Sequence, residues 1–580
     1  MPGYFASTTT ARSACTSVAN LHHSNKFSNA ADFCLGHALR SLFNHRAVLA
    51  GESCLLAASA TRTECYDDTG WRTMRGDCRR FSHSLRRCGG FAAIGLVLAG
   101  CMTIGFAPQA RALPSFARQT GQPCGTCHTD FPALTPFGRR FKLLGYTVGG
   151  GEFRTTPFPL FPAVSDARSQ ADKMRSYAKA IESGKDSDDR EYVPPISMMT
   201  VVGFTHTQAP LPPPTNPFKS NDNTVISPFS AFWGGAITDH VGAFAQVTYN
   251  APPPGGFPDP FGHTWTWDNT DVRFAKSTTV GAFDILYGIT ANNNPTVQDV
   301  WNTTPAWTFP YASSTIAPTP GAKTLIEGAF AAHVGGIGAY AFVNDMLYLE
   351  LTGYRTLDFR TQNSLGTDPF GAPGLFDGTA PYWRVAFEPQ WGNQSLMVGA
   401  FGMHFSVRPW LDPSFATGTM ATFPQSDKFT DAGFDSQYQY QGDYYWLTLR
   451  GSFIREFQKL DASFPNGLSA NPTNELNSLR LQASLAYGGD NRLVFTGQYF
   501  DIWGTSDAIA YGGLASGFSP NSDGWIAELA YIPFGTSRAP GWPWLNARFA
   551  VQYTYYDKFE GTTVGAHDHN TLFLHAWFAM

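Results

Sequence analysis

From about residue 195 onward, apolar and polar side chains alternate along the chain in short runs. Leu347, Leu349 and Leu351 alternate with Tyr348, Glu350 and Thr352; Leu479, Leu481, Ala483 and Leu485 alternate with Ser478, Arg480, Gln482 and Ser484. Tyr445, Leu447, Leu449 and Phe453 are set in the same way against Trp446, Thr448, Arg450 and Ser452. A period of two is the mark of a strand with one apolar face. About sixteen such runs can be read, from 197–208 to 570–580. The run over 324–343 is read as one long strand, with a break at Gly335-Gly336 as the alternative.

The connections decide the architecture. Thr238-Asp239, Asn344-Asp345, Gly392-Asn393, Gly442-Asp443 and Gly489-Asp490 are tight turns, and each alternates with a long loop rich in Pro, Asn and Gly. Short turns on one rim and long loops on the other describe a closed transmembrane barrel, whose strands of about ten residues cross the bilayer at a tilt. The expectation is therefore an all-β fold, an antiparallel transmembrane β-barrel of about sixteen strands over 196–580, with the lipid bilayer as a partner. Leu572, Leu574, Ala576 and Phe578 share one face of the closing strand, although the chain ends Phe578-Ala579-Met580 where such strands usually end on an aromatic residue.

Composition narrows the function classes. Only 15% of the 580 residues are charged, against about 25% in ordinary soluble proteins. With 40 Lys+Arg, 45 Asp+Glu, a formal net charge of -5 and no basic stripe, nucleic acid is excluded as a partner.

The nine cysteines divide the chain. Cys15, Cys34, Cys54, Cys65, Cys78, Cys88 and Cys101 precede residue 112, and only Cys124 and Cys127 follow it. Arg79, Arg80, Arg86 and Arg87 lead into the apolar run Gly89 to Ala107, and Ala110-Arg111-Ala112 follows as a small-x-small cleavage site. This reads as a secretory signal peptide. The alternatives are a lipoprotein box at Leu98-Ala99-Gly100-Cys101, with Cys101 lipidated, and a retained membrane helix. A signal this far from residue 1 places the expected translation start at Met74, and residues 1–112 are taken as extension plus signal peptide.

Pro123-Cys124-Gly125-Thr126-Cys127-His128 carries the clearest chemistry. In C-x-x-C-H the two thiols add to haem vinyl groups, and the adjacent imidazole reaches the iron from the proximal side. Cys124 and Cys127 are thus the expected attachment residues for one covalently bound haem c, with His128 its proximal iron ligand. A thioredoxin-like pair lacks its βαβ context, and a zinc site lacks further ligands, since no His or Cys occurs between His128 and His206. Met174, in the charged segment Ser165 to Arg190, and Met198 and Met199 are the candidate sixth ligands; an open or lysine-ligated position is the alternative. Residues 113–195 form the monohaem segment and linker. His567 and His569 are spaced like a metal entry site, with a solvated loop as the plainer reading.

A signal peptide, one C-x-x-C-H and a barrel in one chain resemble the fused monohaem cytochrome and porin family of the outer membrane. Ala117-Arg118-Gln119-Thr120-Gly121 before the cysteines, and Phe131-Pro132, Phe137-Gly138, Phe141-Lys142 and Gly145-Tyr146 after them, are similar to that family's haem segment. The resemblance implies an outer-membrane electron conduit, an iron:cytochrome type of oxidoreductase. It would take electrons from extracellular Fe(II) or another small reductant and pass them to a periplasmic cytochrome or copper carrier. It also implies that the loop Asn292 to Lys323, after the fifth strand, is a constriction loop, the alternative being an external cap. Two other functions stay open. One is a solute porin with an appended haem domain, whose Arg273, Arg384, Arg450, Arg480, Arg492 and Arg548 set anion preference; the other is a soluble periplasmic cytochrome with a β-rich domain.

Overall fold

The computed structural model describes residues 115–120, 122–147, 195–210, 219–249, 263–411, 421–488, 493–512, 518–534 and 543–580. The signal region with Met74 and Cys101, the segment holding Met174, and Arg492 lie outside the described residues.

Sixteen antiparallel strands close into one barrel. They are β1 (Ile196–Thr207), β2 (Asn223–Ala236), β3 (Val241–Tyr249), β4 (Trp265–Val280), β5 (Phe283–Asn292), β6 (Val334–Val343), β7 (Leu347–Thr356) and β8 (Ala380–Phe387). The second half comprises β9 (Gln394–Pro409), β10 (Asp427–Gln441), β11 (Tyr445–Lys459), β12 (Thr473–Tyr487), β13 (Leu493–Gly504), β14 (Ser522–Tyr531), β15 (Asn546–Lys558) and β16 (Thr571–Ala579). Two short pieces, Gly374–Phe376 and Gln390–Trp391, pair beside β8 on the longer β9 and add no turn to the circuit. Closure is made by β16 on β1, in register from Thr571 opposite Thr207 to Ala579 opposite Met199.

Burial along the strands is inverted relative to a water-soluble protein. On β7 the outward residues Leu347, Leu349 and Leu351 are exposed, whereas Tyr348, Glu350 and Thr352 are buried in the lumen. The same holds for Leu481 and Leu485 against Gln482 and Ser484 on β12, and for Phe495 against Thr496 on β13. Such an outer surface is stable in hydrocarbon and costly in water, and strand pairing around the closed circuit leaves no unpaired edge. The soluble-cytochrome reading falls on this face. Trp391, Tyr444, Tyr445 and Tyr487 stand exposed beside the short turns, where an interfacial girdle belongs.

Short connections such as Gly281-Ala282 and Asn344-Asp345-Met346 gather on one rim and the long ones on the other, except that the connection 532–545 between β14 and β15 is long and lies on the short-turn rim. Asn344 and Asp345 take φ of 52° and 54°, the left-handed pair that a tight hairpin needs and that Asn and Asp tolerate.

One expected strand is corrected. Only 334–343 of the 324–343 run is strand, and 324–333 is a turn-rich segment inside the lumen. Its apolar side chains imitate a buried strand because they do pack, with Ile326 and Phe330 set against Tyr354, Tyr382, Phe401 and Phe405 of the wall. Its backbone is held by the wall: Leu325 N–H donates to Glu456 Oε2 at 2.5 Å and Ile326 N–H to Asp431 Oδ2 at 2.8 Å. The preceding residues also turn inward, since Thr296, Gln298, Val300, Trp301 and Thr304 are all buried. The connection after the fifth strand is thus an inserted loop, and the external-cap reading is set aside.

Candidate functional site

The segment around the cysteines folds from local signals. Helix α1 (Ser115–Thr120) is followed by a single turn of helix, α2 (Cys124–Cys127), then a small hairpin of His128–Asp130 with Ala133–Leu134, and α3 (Pro136–Leu143). Thr135 caps α3 by accepting from Gly138 N–H at 3.1 Å, and Pro136 opens the helix where its missing N–H costs nothing. The same hydroxyl donates to Thr126 O at 2.6 Å, and Thr135 N–H donates to Cys127 O at 2.9 Å. The cap therefore fixes α3 against the C-x-x-C turn. Gly138 is required there, because a Cβ would stand 2.2 Å from the Cys127 carbonyl oxygen.

This segment is a plug in the barrel. Arg139 is ion-paired with Glu388 and donates to Gln439 Oε1 at 2.8 Å; Asp130 is ion-paired with Arg548, which also pairs with Glu528; Arg140 reaches Asp345. Tyr146 O–H donates to Asp271 at 2.7 Å, Tyr340 O–H to Leu143 O at 2.6 Å, and Gln119 Nε2 to Gly234 O at 2.8 Å. Gly145 comes so close to the wall that a Cβ on Gly242 would meet its carbonyl oxygen at 2.0 Å. Nearly all these wall partners border the short turns or the strand ends at that rim, so the plug fills the short-turn end. It also meets the inserted loop: Leu134 N–H donates to Asn302 Oδ1 at 3.1 Å, and Leu143, Leu144, Val300, Trp301, Tyr340 and Tyr348 form one apolar cluster.

Between plug, wall and loop lies a cavity of about 560 Å³, bordered by Cys124, Cys127 and His128 and lined in part by aromatic side chains, among them Phe116, Phe131, Phe232, Phe244, Trp307 and Trp577. That volume lies within the roughly 300–1,000 Å³ usual for cofactor sites. His128 Nδ1 lies 3.1 Å from Pro132 O. A carbonyl only accepts, so Nδ1 carries the proton and Nε2 is the basic nitrogen, the arrangement that orients an imidazole toward a metal. Phe131 packs edge-on between His128 and Trp577, with ring centroids 5.1 and 5.0 Å away.

Electrostatics separates the readings of the cysteine pair. Burial pushes the Cys124 thiol up to about 11, and burial followed by the neighbouring Cys124 pushes Cys127 up to about 12. A redox-active pair needs the opposite shift, toward thiolate. Burial also lowers the His128 pKa, favouring the neutral imidazole that ligates iron. No group of three His, Cys, Asp or Glu side chains able to hold a metal ion occurs among the described residues. Two half-buried thiols and a neutral imidazole beside a mostly apolar cavity of this volume fit a haem, and they lack the further ligands of a zinc site and the lowered thiol pKa of a disulfide-exchange site.

The expected sixth ligands separate by strand parity. Met198 is exposed on the outer face of β1, whereas Met199 faces inward and borders the cavity. Lys142 also borders it, but its Nζ donates to Val297 O at 2.6 Å and Asp299 O at 2.9 Å. His567 and His569 are drawn into the fold of their own loop: His567 stacks on Tyr555, and His569 on Phe559 with centroids 4.0 Å apart.

Five of the six arginines expected to set anion preference lie among the described residues; they face the lumen, but four of the five are matched with carboxylates. Arg273 pairs with Asp271 at 2.8 Å, Arg384 with Asp435 at 2.5 Å, Arg480 with Glu327 at 2.5 Å, and Arg548 with Asp130 and Glu528. They lock plug and loop to the wall instead of forming a free positive ladder. Sequence reading missed Glu388 and Asp271, the wall partners of Arg139 and Tyr146. The only signal they gave was an acidic side chain at a lumen position.

No protein-family model matches the chain, and no curated protein matches it. Among solved structures it is similar to OmpF of Salmonella typhi in complex with daunomycin, with a TM-score of 0.37 and 12% identity over 66% of this chain and 97% of that one. It is also similar to OprB of Pseudomonas putida at high pH, with a TM-score of 0.36 and 12% identity over 66% and 93%. OmpT of Vibrio cholerae, expressed in the outer membrane, gives 0.34 and 8% over 66% and 97%. The barrel is established here by its own strand order and closure, at similarities this low.

Proposed function

We propose that the protein is an outer-membrane cytochrome-porin that carries one haem c on Cys124 and Cys127 and moves electrons from an extracellular donor, Fe(II) by resemblance, to a periplasmic carrier. The observation that carries this reading is the meeting of the whole C-x-x-C-H motif with a 560 Å³ apolar cavity that plug, wall and loop build together. When bound, the haem would supply one-electron redox chemistry. The chain's own residues do the rest. Cys124 and Cys127 hold the group covalently, His128 is oriented by the Pro132 carbonyl to ligate it, and the aromatic walls exclude water. The apolar outer face supports a place in the bilayer, and the plugged short-turn rim supports a periplasmic position for the plug, since short turns are periplasmic in such barrels.

A second reading, a solute porin with an appended haem domain, rests on the barrel itself and on the loop folded into it after the fifth strand. The packing of plug and loop in one cluster with the wall weighs against a wide solute path. One preparation tests both. Purified protein should show one haem by intact mass and an absorption spectrum that turns to the reduced form when Fe(II) is added to sealed liposomes holding an oxidised carrier. A chain without haem, or liposomes that pass small sugars freely while the spectrum ignores Fe(II), would make the porin reading the better account.

A further inference from the structure

Arg450, on the lumen face of β11, stands apart from the other buried lumen arginines. Arg139, Arg273, Arg384 and Arg548 each meet a carboxylate, and so does the partly buried Arg480. Arg450 is 7% exposed and has no carboxylate partner among the described residues. Its Nε donates to Gln437 Oε1 and its Nη1 to the Tyr311 hydroxyl, each at 2.7 Å, and both acceptors are neutral. Its Nη2 is buried with no hydrogen-bond partner. Asp130 lies within electrostatic reach, but its Oδ1 is paired with Arg548 and its Oδ2 makes no hydrogen bond to Arg450 or any other group. Leaving a buried guanidinium with an idle N–H group and no carboxylate in contact with it is costly, and buried charges are ordinarily paired.

The surroundings of this group point to its partner. A small gap of about 10 Å³ beside Arg450 is lined by Thr303, Ser452, Arg480, Gln482 and Gln498, with no carboxylate in its wall and two guanidinium groups. A volume near one water-sized sphere admits a single halide ion or the oxygen of a carboxylate. Asn302, Thr308 and Arg480 line both this gap and the 560 Å³ cavity, so the two are neighbours that share these side chains as walls.

We propose that Arg450 seats a small anion in this gap, supplied either by a propionate of the haem or by a free halide. In the first case the inference rests on the haem reading above; in the second it stands without it. Arg450 would hold a propionate ionised beside the cofactor, acting as a positioning residue.

The test compares the full-length protein, Arg450→Gln and Arg450→Lys, with heat-modified gel mobility showing that each barrel is folded. A Cys124→Ala/Cys127→Ala chain serves as the haem-free arm. Bromide is titrated at constant ionic strength against methanesulfonate, which is too bulky for the gap, and the thermal midpoint is read. In the haem-free chain bromide should raise the midpoint and methanesulfonate should not. Arg450→Gln should weaken the bromide half-saturation by roughly ten- to a hundredfold, as expected for a hydrogen bond to a charged group, and Arg450→Lys should retain part of the response. If the propionate fills the gap, the haem-loaded protein ignores bromide, and Arg450→Gln moves the inflection of its reduction potential to higher pH. If a free halide fills it, the loaded protein responds to bromide as the haem-free chain does. A loaded and a haem-free protein that both ignore bromide, together with an Arg450→Gln variant whose potential has an unchanged pH profile, would overturn the proposal. An intact mass lacking haem refutes the function proposed above and leaves the bromide arm to judge Arg450 alone.

Discussion

At the scale of single residues, contacts that look incidental in the sequence carry the plug. Gly138 allows α3 to press on the Cys127 backbone, with no room for a methyl group. Gly138→Ala should displace α3 from the C-x-x-C turn and lower the yield of covalent haem while the barrel still forms, measured as haem absorbance per barrel on an unboiled gel. Lys142 offers a pH signature. Burial, followed by the neighbouring Arg273, lowers its pKa from the ordinary 10.5 to about 8. Between those values the unfolded chain binds more protons than the folded one, so this group's contribution to stability rises as pH climbs from about 8 to about 10.5. The full swing is of order a few kcal/mol. The thermal midpoint of the wild type relative to Lys142→Met should rise over that interval, and parallel curves for the two would show that Lys142 is not titrating there.

At the scale of elements, the strands were legible and the partners of the plug were not. Leu347 to Thr352 declares its two faces by alternation alone, because a strand in a barrel wall answers to lipid on one side and the lumen on the other. The 324–333 segment misled for a related reason. Apolar side chains packed on a wall read alike whether the backbone is extended or folded in turns. The C-x-x-C-H motif was readable because all its residues fall within five consecutive positions, a local spacing of the kind covalent haem attachment requires. Glu388 lies 249 residues from Arg139, and no local pattern announces such a pair. Its energetics are testable. Arg139→Met alone strands a buried carboxylate and should loosen the plug by about 3–5 kcal/mol, whereas Arg139→Met with Glu388→Leu should recover much of that loss. Recovery would be incomplete, because Glu388 also accepts from Trp301 Nε1 at 2.8 Å. Protease sensitivity of the plug in detergent under a denaturant series reads all three variants; equal losses in the single and double variants would show that the ion pair is not the latch.

At the scale of the whole molecule, the plug precedes β1 in the chain, yet its partners lie on strands as late as β15, through Asp130 with Arg548, and β16, through Phe131 with Trp577. The last strand then returns to the first: Met198 N–H donates to Met580 O at 2.5 Å, and Met580 N–H to Met198 O at 2.7 Å. The plug therefore cannot reach its final seat until the end of the chain has arrived, and once the ring is sealed its cysteines face an enclosed lumen. On the function proposed above, haem attachment would accordingly have a deadline. On that reading the maturation machinery would have to act on the segment while it is still outside the unfinished ring, and the order of two assembly events would decide whether a molecule becomes functional. Cells in which haem supply is delayed by a pulse should accumulate heat-modifiable barrels without haem, and those barrels should stay empty when haem returns, while newly made chains are loaded. Loading of the old barrels at the same rate as the new would mean that the ring opens again after it has closed.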